Sequence, residues 1–449
     1  MMNAFTNRNI WLILRLLAIT WLLTKLLCYK LWLGDRGFPI VPVHDLLFKI
    51  PGTIHFILFC FSMVLMLIII WKPIRPIITS LFVAEMLSCL LDQNRWHPWE
   101  YQFVFMLMPF VFTKDEIKIT TCWQIILVGL YFYSGLAKLN HGFIVFVWRD
   151  LILNKTLGIH HFNPWILRLG YLAGSIEMLA AIGLLFNTIR KYSVVIFWGV
   201  HLVITGLLLA SVSFLSNKTI LPWNLFLPVV LYFLFWKRPF EWNRSYFFSP
   251  ATMVTLAAWW FLPVFNLFNK WDGYLSSSLF SGKTRYLFIC TNNNQLLFKF
   301  RDCLVSGNSK FGCNSFISVY TWAFHDIGTM PNPEIRVYRS IATQWYQQYD
   351  PSRESKFILY SPSAKENKWV DLFSEVVILQ KQKARRLSCF YKILIFKIIF
   401  QQTSCYHGTS LHHSPHQQPA KMIILHRLDN LGPGDHYMAV AAMSFEQPK

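Results

Sequence analysis

Charge is scarce in this sequence. Only 14% of the 449 residues are Asp, Glu, Lys or Arg, and the acidic ones number 22, against about a quarter charged in ordinary soluble domains. That scarcity excludes a soluble single-domain enzyme. No CxxC pair occurs among the nine cysteines, which excludes a dithiol oxidoreductase or a zinc knuckle. Nucleophile elbows, Walker loops, Rossmann glycines and paired zinc ligands are absent as spaced motifs. The 42 Lys and Arg give a formal net charge of +20, but they are scattered among apolar runs, not gathered on one stripe as nucleic-acid binding requires. What is present is apolar: 54% hydrophobic and 17% aromatic residues, with mean hydropathy +0.38. These values describe a chain that crosses a membrane several times.

A hydrocarbon core of about 30 Å takes roughly 20 apolar residues per helix. Nine runs approach that size, near 10–33, 52–71, 76–92, 98–113, 119–139, 164–186, 192–215, 219–236 and 250–268. The third and fourth are short and carry Glu85, Asp92 and Glu100, so they are read either as tilted spans or as a re-entrant pair buried by its neighbours. The fold expected is an all-α polytopic membrane bundle of eight or nine transmembrane helices over 1–268, followed by a small α+β extramembrane domain over 269–380. Arg15, Lys25 and Lys30 interrupt the first run, and no small-residue cleavage site follows, so it is read as a retained helix and not a signal peptide. Alternate loops are basic, with Lys72 and Arg75, Lys114 and Lys118, Arg190 and Lys191, then Lys237, Arg238 and Arg244. By the positive-inside rule this puts the N-terminus in the cytoplasm and the domain after 268 on the opposite side.

In that domain Tyr286–Cys290 and Leu296–Phe300 flank a run of asparagines, the pattern of a β-hairpin. Residues 316–324 and 357–360 read as strands, and Pro333 stands where a helix begins. An oxidising compartment would allow one disulfide, with Cys303–Cys313 the nearest pair. The basic, His-rich stretch 381–449 holds six of the 14 histidines and reads as a disordered or aberrant end; a metal-binding tail is the alternative.

An ionisable side chain at membrane depth costs several kcal/mol unless paired or hydrated, so four places stand out as candidate sites. Lys138 closes the fifth run, beside the small residues Ser134, Gly135 and Ala137 that let another helix approach. It is read as a desolvated base or as a lysine snorkelling to the interface. His97 lies in the polar, aromatic bridge 92–102, which is either a lined cavity or an interfacial loop whose charges offset one another. Glu177 sits in the middle of the sixth run, with Lys138 or His201 as its plainest partner. His201 is a buried histidine satisfied by one hydrogen bond or an acid–base group. Arg149 and Asp150 fall on an amphipathic segment just after Lys138, of the kind that lies along a membrane face.

The ending Ser134-Gly-Leu-Ala-Lys-Leu-Asn140, the segment leading to Trp148, the helix around Gly174-Ser-Ile-Glu177 and the His201 helix resemble the membrane region of vitamin K-dependent γ-carboxylases. They resemble equally that family's bacterial relatives, the horizontally transferred transmembrane (HTTM) domain proteins. The resemblance spans roughly 75–240. It implies that Lys138 is the base that deprotonates a quinone-like cofactor, that His97 to Tyr101 correspond to an upstream His-x-x-x-Tyr loop, and that an extracytoplasmic domain follows. The sequence departs from the pattern at Trp148, which has no glycine after it, and in its shorter C-terminal region. The Gly174–Leu185 helix also resembles DoxX-like redox-associated membrane proteins. The function implied is that of a multi-pass protein of a bacterial inner membrane, in which Lys138, His97, Glu177 and His201 line a cavity for a lipophilic molecule, with no metal and no nucleic acid involved. The alternative is a non-catalytic scaffold or assembly protein that presents a periplasmic domain to a partner.

Overall fold

A computed structural model describes residues 2–161, 163–210, 218–308, 311–362 and 368–373. The expectation for the basic, His-rich stretch 381–449 lies outside the described residues. The helices that precede the domain include α1 (Met2–Leu27), α2 (Gly52–Trp71), α3 (Arg75–Leu91), α4 (Pro98–Leu107), α5 (Pro109–Phe112), α6 (Glu116–Lys138), α7 (Pro164–Gly183), α8 (Arg190–Ala210), α9 (Ile220–Trp236) and α10 (Pro250–Phe268). Six of these, α1, α2, α6, α7, α8 and α10, are long and apolar enough to cross a membrane; α3 and α9 have the same character but are shorter. Their starts are written locally. Asp115, Asn163 and Ser249 each cap the backbone N–H groups of the helix that follows, and proline fills a first-turn position of α3, α4, α5, α7 and α10, where its missing N–H costs nothing.

The middle of the bundle is α6, 83% of whose apolar stretch is buried, against 28% for α2 and α8. Outward faces stay apolar: Phe56, Ile57, Leu67 and Trp71 of α2 are all exposed. An apolar belt of that extent suits lipid and would aggregate in water. The helices are consistent with a multi-pass membrane protein. Between α6 and α7 the backbones touch, because a Cβ on Gly135 would come within 2.5 Å of Met178 N and 2.7 Å of Gly174 O. Gly135→Val is therefore expected to force these helices apart and destabilise the protein by at least about 1–3 kcal/mol, read as a lowered thermal midpoint in detergent.

The segment Phe143–Thr156 is a wide, π-type helix. It packs on α7 where Gly170 leaves room for Ile144 and Trp148, and it carries the Arg149–Asp150 ion pair at 2.6 Å.

After α10 comes a five-stranded antiparallel sheet in the order β2-β3-β1-β4-β5, from β1 (Tyr286–Cys290), β2 (Leu304–Asn308), β3 (Cys313–Ser318), β4 (Lys356–Ser361) and β5 (Lys368–Asp371). Helices α11 (Asn294–Lys299), α12 (Val319–Ile327) and α13 (Ile335–Gln348) complete the region. Three sequence expectations are corrected here. Residues 294–299 are a helix and not the second arm of a hairpin, because the Asn293 side chain accepts from the backbone N–H groups of Gln295 and Leu296 and so starts a helix where a turn was expected. The Ser318 side chain likewise caps α12, which ends the strand expected over 316–324 at Ser318. The disulfide joins Cys290 to Cys313. Cys303 is a free, buried thiol. Spacing misled because Cys290 and Cys313 pack in one apolar cluster with Phe288, Phe316 and Trp369, whereas Cys303 is buried in the main core with Phe300 and Trp322.

That main core runs without interruption from the helices into the sheet domain. Trp32 packs edge-on to Trp99 at 6.4 Å, Phe38 packs on Trp322 at 5.0 Å, and Trp322 packs on Trp345 at 5.8 Å.

Candidate functional site

Lys138 and Glu177, from α6 and α7, form an ion pair. The Lys138 ammonium also donates to Ser134 Oγ, one turn earlier, at 2.7 Å. Both side chains are largely buried, with 18% and 8% of their surface exposed. The glycine contact explains why they meet: with Gly174 against Gly135 and Lys138 Cβ, the carboxylate three residues beyond Gly174 lies one turn along the same face of α7. Of the two partners expected for Glu177, it takes Lys138.

His201 is held by a separate set of bonds. Its Nδ1 lies 2.8 Å from Asn224 Oδ1 and its Nε2 2.7 Å from the Tyr131 hydroxyl. The Asn224 amide nitrogen donates to His201 O and to Thr205 Oγ1, which leaves its oxygen to accept from Nδ1–H and makes Nε2 the acceptor for Tyr131. A histidine satisfied at both nitrogens is held by the protein. Tyr131 nevertheless stands on the same face of α6 as Ser134 and Lys138, at spacings of three and seven residues, so a polar stripe of Asn224, His201, Tyr131, Ser134, Lys138 and Glu177 runs along the central helix.

The structure does not bring His97 into that stripe. Its ring is sandwiched between Trp99 and Tyr274, each at 5.5 Å, and its Nε2 lies 3.5 Å from Thr329 Oγ1. Burial lowers its pKa to about 4, only partly offset by Asp92, so the ring is neutral at physiological pH. The first part of the bridge, 93–97, has a role that its sequence did not announce: it is the seat of the sheet domain. Arg336 Nε donates to Gln93 Oε1 at 2.6 Å, Asn332 N donates to Asn94 Oδ1 at 3.2 Å, and Asn332 Nδ2 donates to Gln93 O at 3.1 Å. Nearby, Phe38 N donates to Asp326 and Gln344 Nε2 to Ile40 O. Arg336 is in turn clamped by both carboxylate oxygens of Asp272.

Under this seat lies the Arg95 guanidinium, fully buried. It donates to Leu31 O, Trp32 O, Ser88 O and Ser88 Oγ, and it lies 2.8 Å from His55 Nδ1. Asp92 accepts from Arg36, Val41 N and Asn94 N. Trp99 is buried in the core.

Comparison with family models, curated proteins and solved structures finds no match for this chain. The site must be judged on its own geometry. Among the described residues no group of three His, Cys, Asp or Glu side chains could hold a metal ion. A cleft of about 100 Å³ lies between the ends of α6 and α10 and the sheet domain, lined among others by Leu136, Ala137, Asn266, Lys283, Arg285 and Glu334. It adjoins the last turn of α6 without being lined by Lys138 or Glu177. Glu334, at its rim, has its pKa raised by burial, against the opposing hydrogen bond from Gly273 N.

A further polar cluster was not recognised from the sequence as a unit. Lys25, Glu85 and Glu100 meet in the bundle with no exposure to solvent. The available signal was that each interrupts an otherwise apolar run.

Proposed function

We propose that this protein is a nine-pass membrane protein whose Lys138–Glu177 pair binds the polar head of a lipophilic, quinone-like molecule, with Lys138 as the proton acceptor. One observation carries the reading: a basic and an acidic side chain from adjacent helices are paired at the end of the most buried of the six long apolar helices, where an unpaired charge would be costly. Passing the lysine proton to Glu177 turns two charges into a neutral amine and a neutral acid, an exchange that a low dielectric favours. The free amine can then take the proton of a hydroquinone hydroxyl, leaving the hydroquinone anion beside a restored ammonium. Ser134 orients the amine, and the cleft beside Leu136 and Ala137 offers an approach for the head group.

Nine passes are supported by bonds at both ends of the short helices. Arg75 at the start of α3 donates to Phe110 O and Val111 O at the end of α5, while the 92–97 link between α3 and α4 meets the sheet domain. The expected placement follows: a bacterial inner membrane, a cytoplasmic N-terminus and a periplasmic domain, with a fold of the γ-carboxylase-like or DoxX-like kind.

Lipid extraction and mass spectrometry of detergent-purified protein test the proposal. The wild type is expected to retain a quinone-like molecule and Lys138→Met to lose it while remaining folded; equal retention, or none in the wild type, refutes it. The scaffold alternative draws support from the buried bonds that hold the sheet domain in one orientation. It predicts that Lys138→Met leaves function intact and that cross-linking through the domain captures a protein partner.

A further inference from the structure

Lys25 of α1, Ser62 of α2, Glu85 of α3 and Glu100 of α4 converge in the bundle interior. Lys25 Nζ donates to Glu85 Oε2 at 2.7 Å and lies 3.5 Å from Ser62 Oγ. Its ammonium stands 3.3 Å over the Trp32 ring. Glu100 Oε2 accepts from Trp21 Nε1 at 2.7 Å. Each carboxyl then has one oxygen left over. Glu85 Oε1 is buried without a hydrogen-bond partner, and Glu100 Oε1 has only the Cys89 thiol, at a long 4.0 Å. Cys89 stands one turn after Glu85 on α3, so its approach to Glu100 Oε1 puts the two carboxyls at the same level of the bundle. A buried carboxyl oxygen without a donor lacks the hydrogen that a protonated neighbour can supply.

The charges give the same answer. Lys25 contributes one positive charge and two ionised glutamates would contribute two negative ones, a net negative charge sealed from water among Trp21, Trp32, Cys28 and Cys89. The next cation, Arg95, is already committed to the carbonyls of Leu31, Trp32 and Ser88. One bound proton makes the cluster neutral. Lys25 fixes which carboxyl carries it: Glu85 holds the ion pair with the ammonium, while Glu100 accepts from the Trp21 indole N–H.

We propose that Glu100 is protonated and donates to Glu85 Oε1, so that α1, α3 and α4 enclose a binding site for one proton, held between paired carboxyls and balanced by Lys25. This assignment is independent of the Lys138 reading. Like charges in close contact drive such sharing, and the low dielectric strengthens the resulting bond.

The test is isosteric replacement in the full-length protein in detergent. Glutamine at 100 reproduces a protonated carboxyl, since its amide donates to Glu85 and its oxygen accepts from Trp21. Glutamine at 85 deprives Lys25 of its counter-charge. E100Q is expected to melt with the wild type and E85Q to melt lower or fail to accumulate. The infrared difference spectrum, wild type minus E100Q, is expected to contain a protonated-carboxyl carbonyl band at neutral pH. A spectrum without that band, or an E100Q protein no more stable than E85Q, overturns the proposal.

Discussion

Replacing Glu177 with alanine is expected to abolish retention of the lipophilic ligand and to destabilise the protein by about 3–5 kcal/mol, the usual cost of removing one member of a buried ion pair. The cost arises because the largely buried Lys138 amine is left with Ser134 alone as a partner, while the glycine contact holds α6 and α7 together. Glu177→Gln separates the two effects. Its amide oxygen still accepts from Lys138, so the fold should survive, but it cannot take a proton, so the ligand's deprotonation should stop. Thermal melting and bound-ligand analysis on the two variants read these effects independently. Ligand retained by both variants would leave the pair a structural strut.

The second large effect is expected at Arg95. Arg95→Met keeps most of the volume of the side chain but strands the carbonyls of Trp32 and Ser88 and the Ser88 hydroxyl in a fully buried site; Leu31 O keeps Arg36 as a donor. At about 1–3 kcal/mol for each stranded group, the loss is comparable with the whole stability of a typical domain. The variant should fail to appear as a monodisperse species after detergent extraction, as judged by size-exclusion chromatography. A monodisperse protein at wild-type yield would mean that the seat of the sheet domain does not depend on the guanidinium.

Periodicity and composition were good guides wherever the physics is local. The starts at Pro98 and Pro164, the long apolar helices and the strand at 357–360 could be read because a cap, a missing N–H or an apolar run acts within a few residues. Lys138 and Glu177 were legible for a related reason: a charge or a small-residue patch inside an apolar run demands a partner, and few partners existed. The 294–299 helix was lost because asparagine serves turns and helix caps equally well. The disulfide was lost because sequence spacing does not reveal which side of a sheet a cysteine faces.

The sequence by itself determined that this chain has apolar helices suited to lipid, a following region of mixed strands and helices, and a small set of buried charges needing an explanation. Only the tertiary structure decided how those charges sort. Lys138 went to Glu177, His201 to Tyr131 and Asn224, His97 to the domain seat, and Lys25 to Glu85. Pairing depends on which helix faces touch, and that is set by close approaches such as Gly135 to Gly174, between residues far apart in the chain.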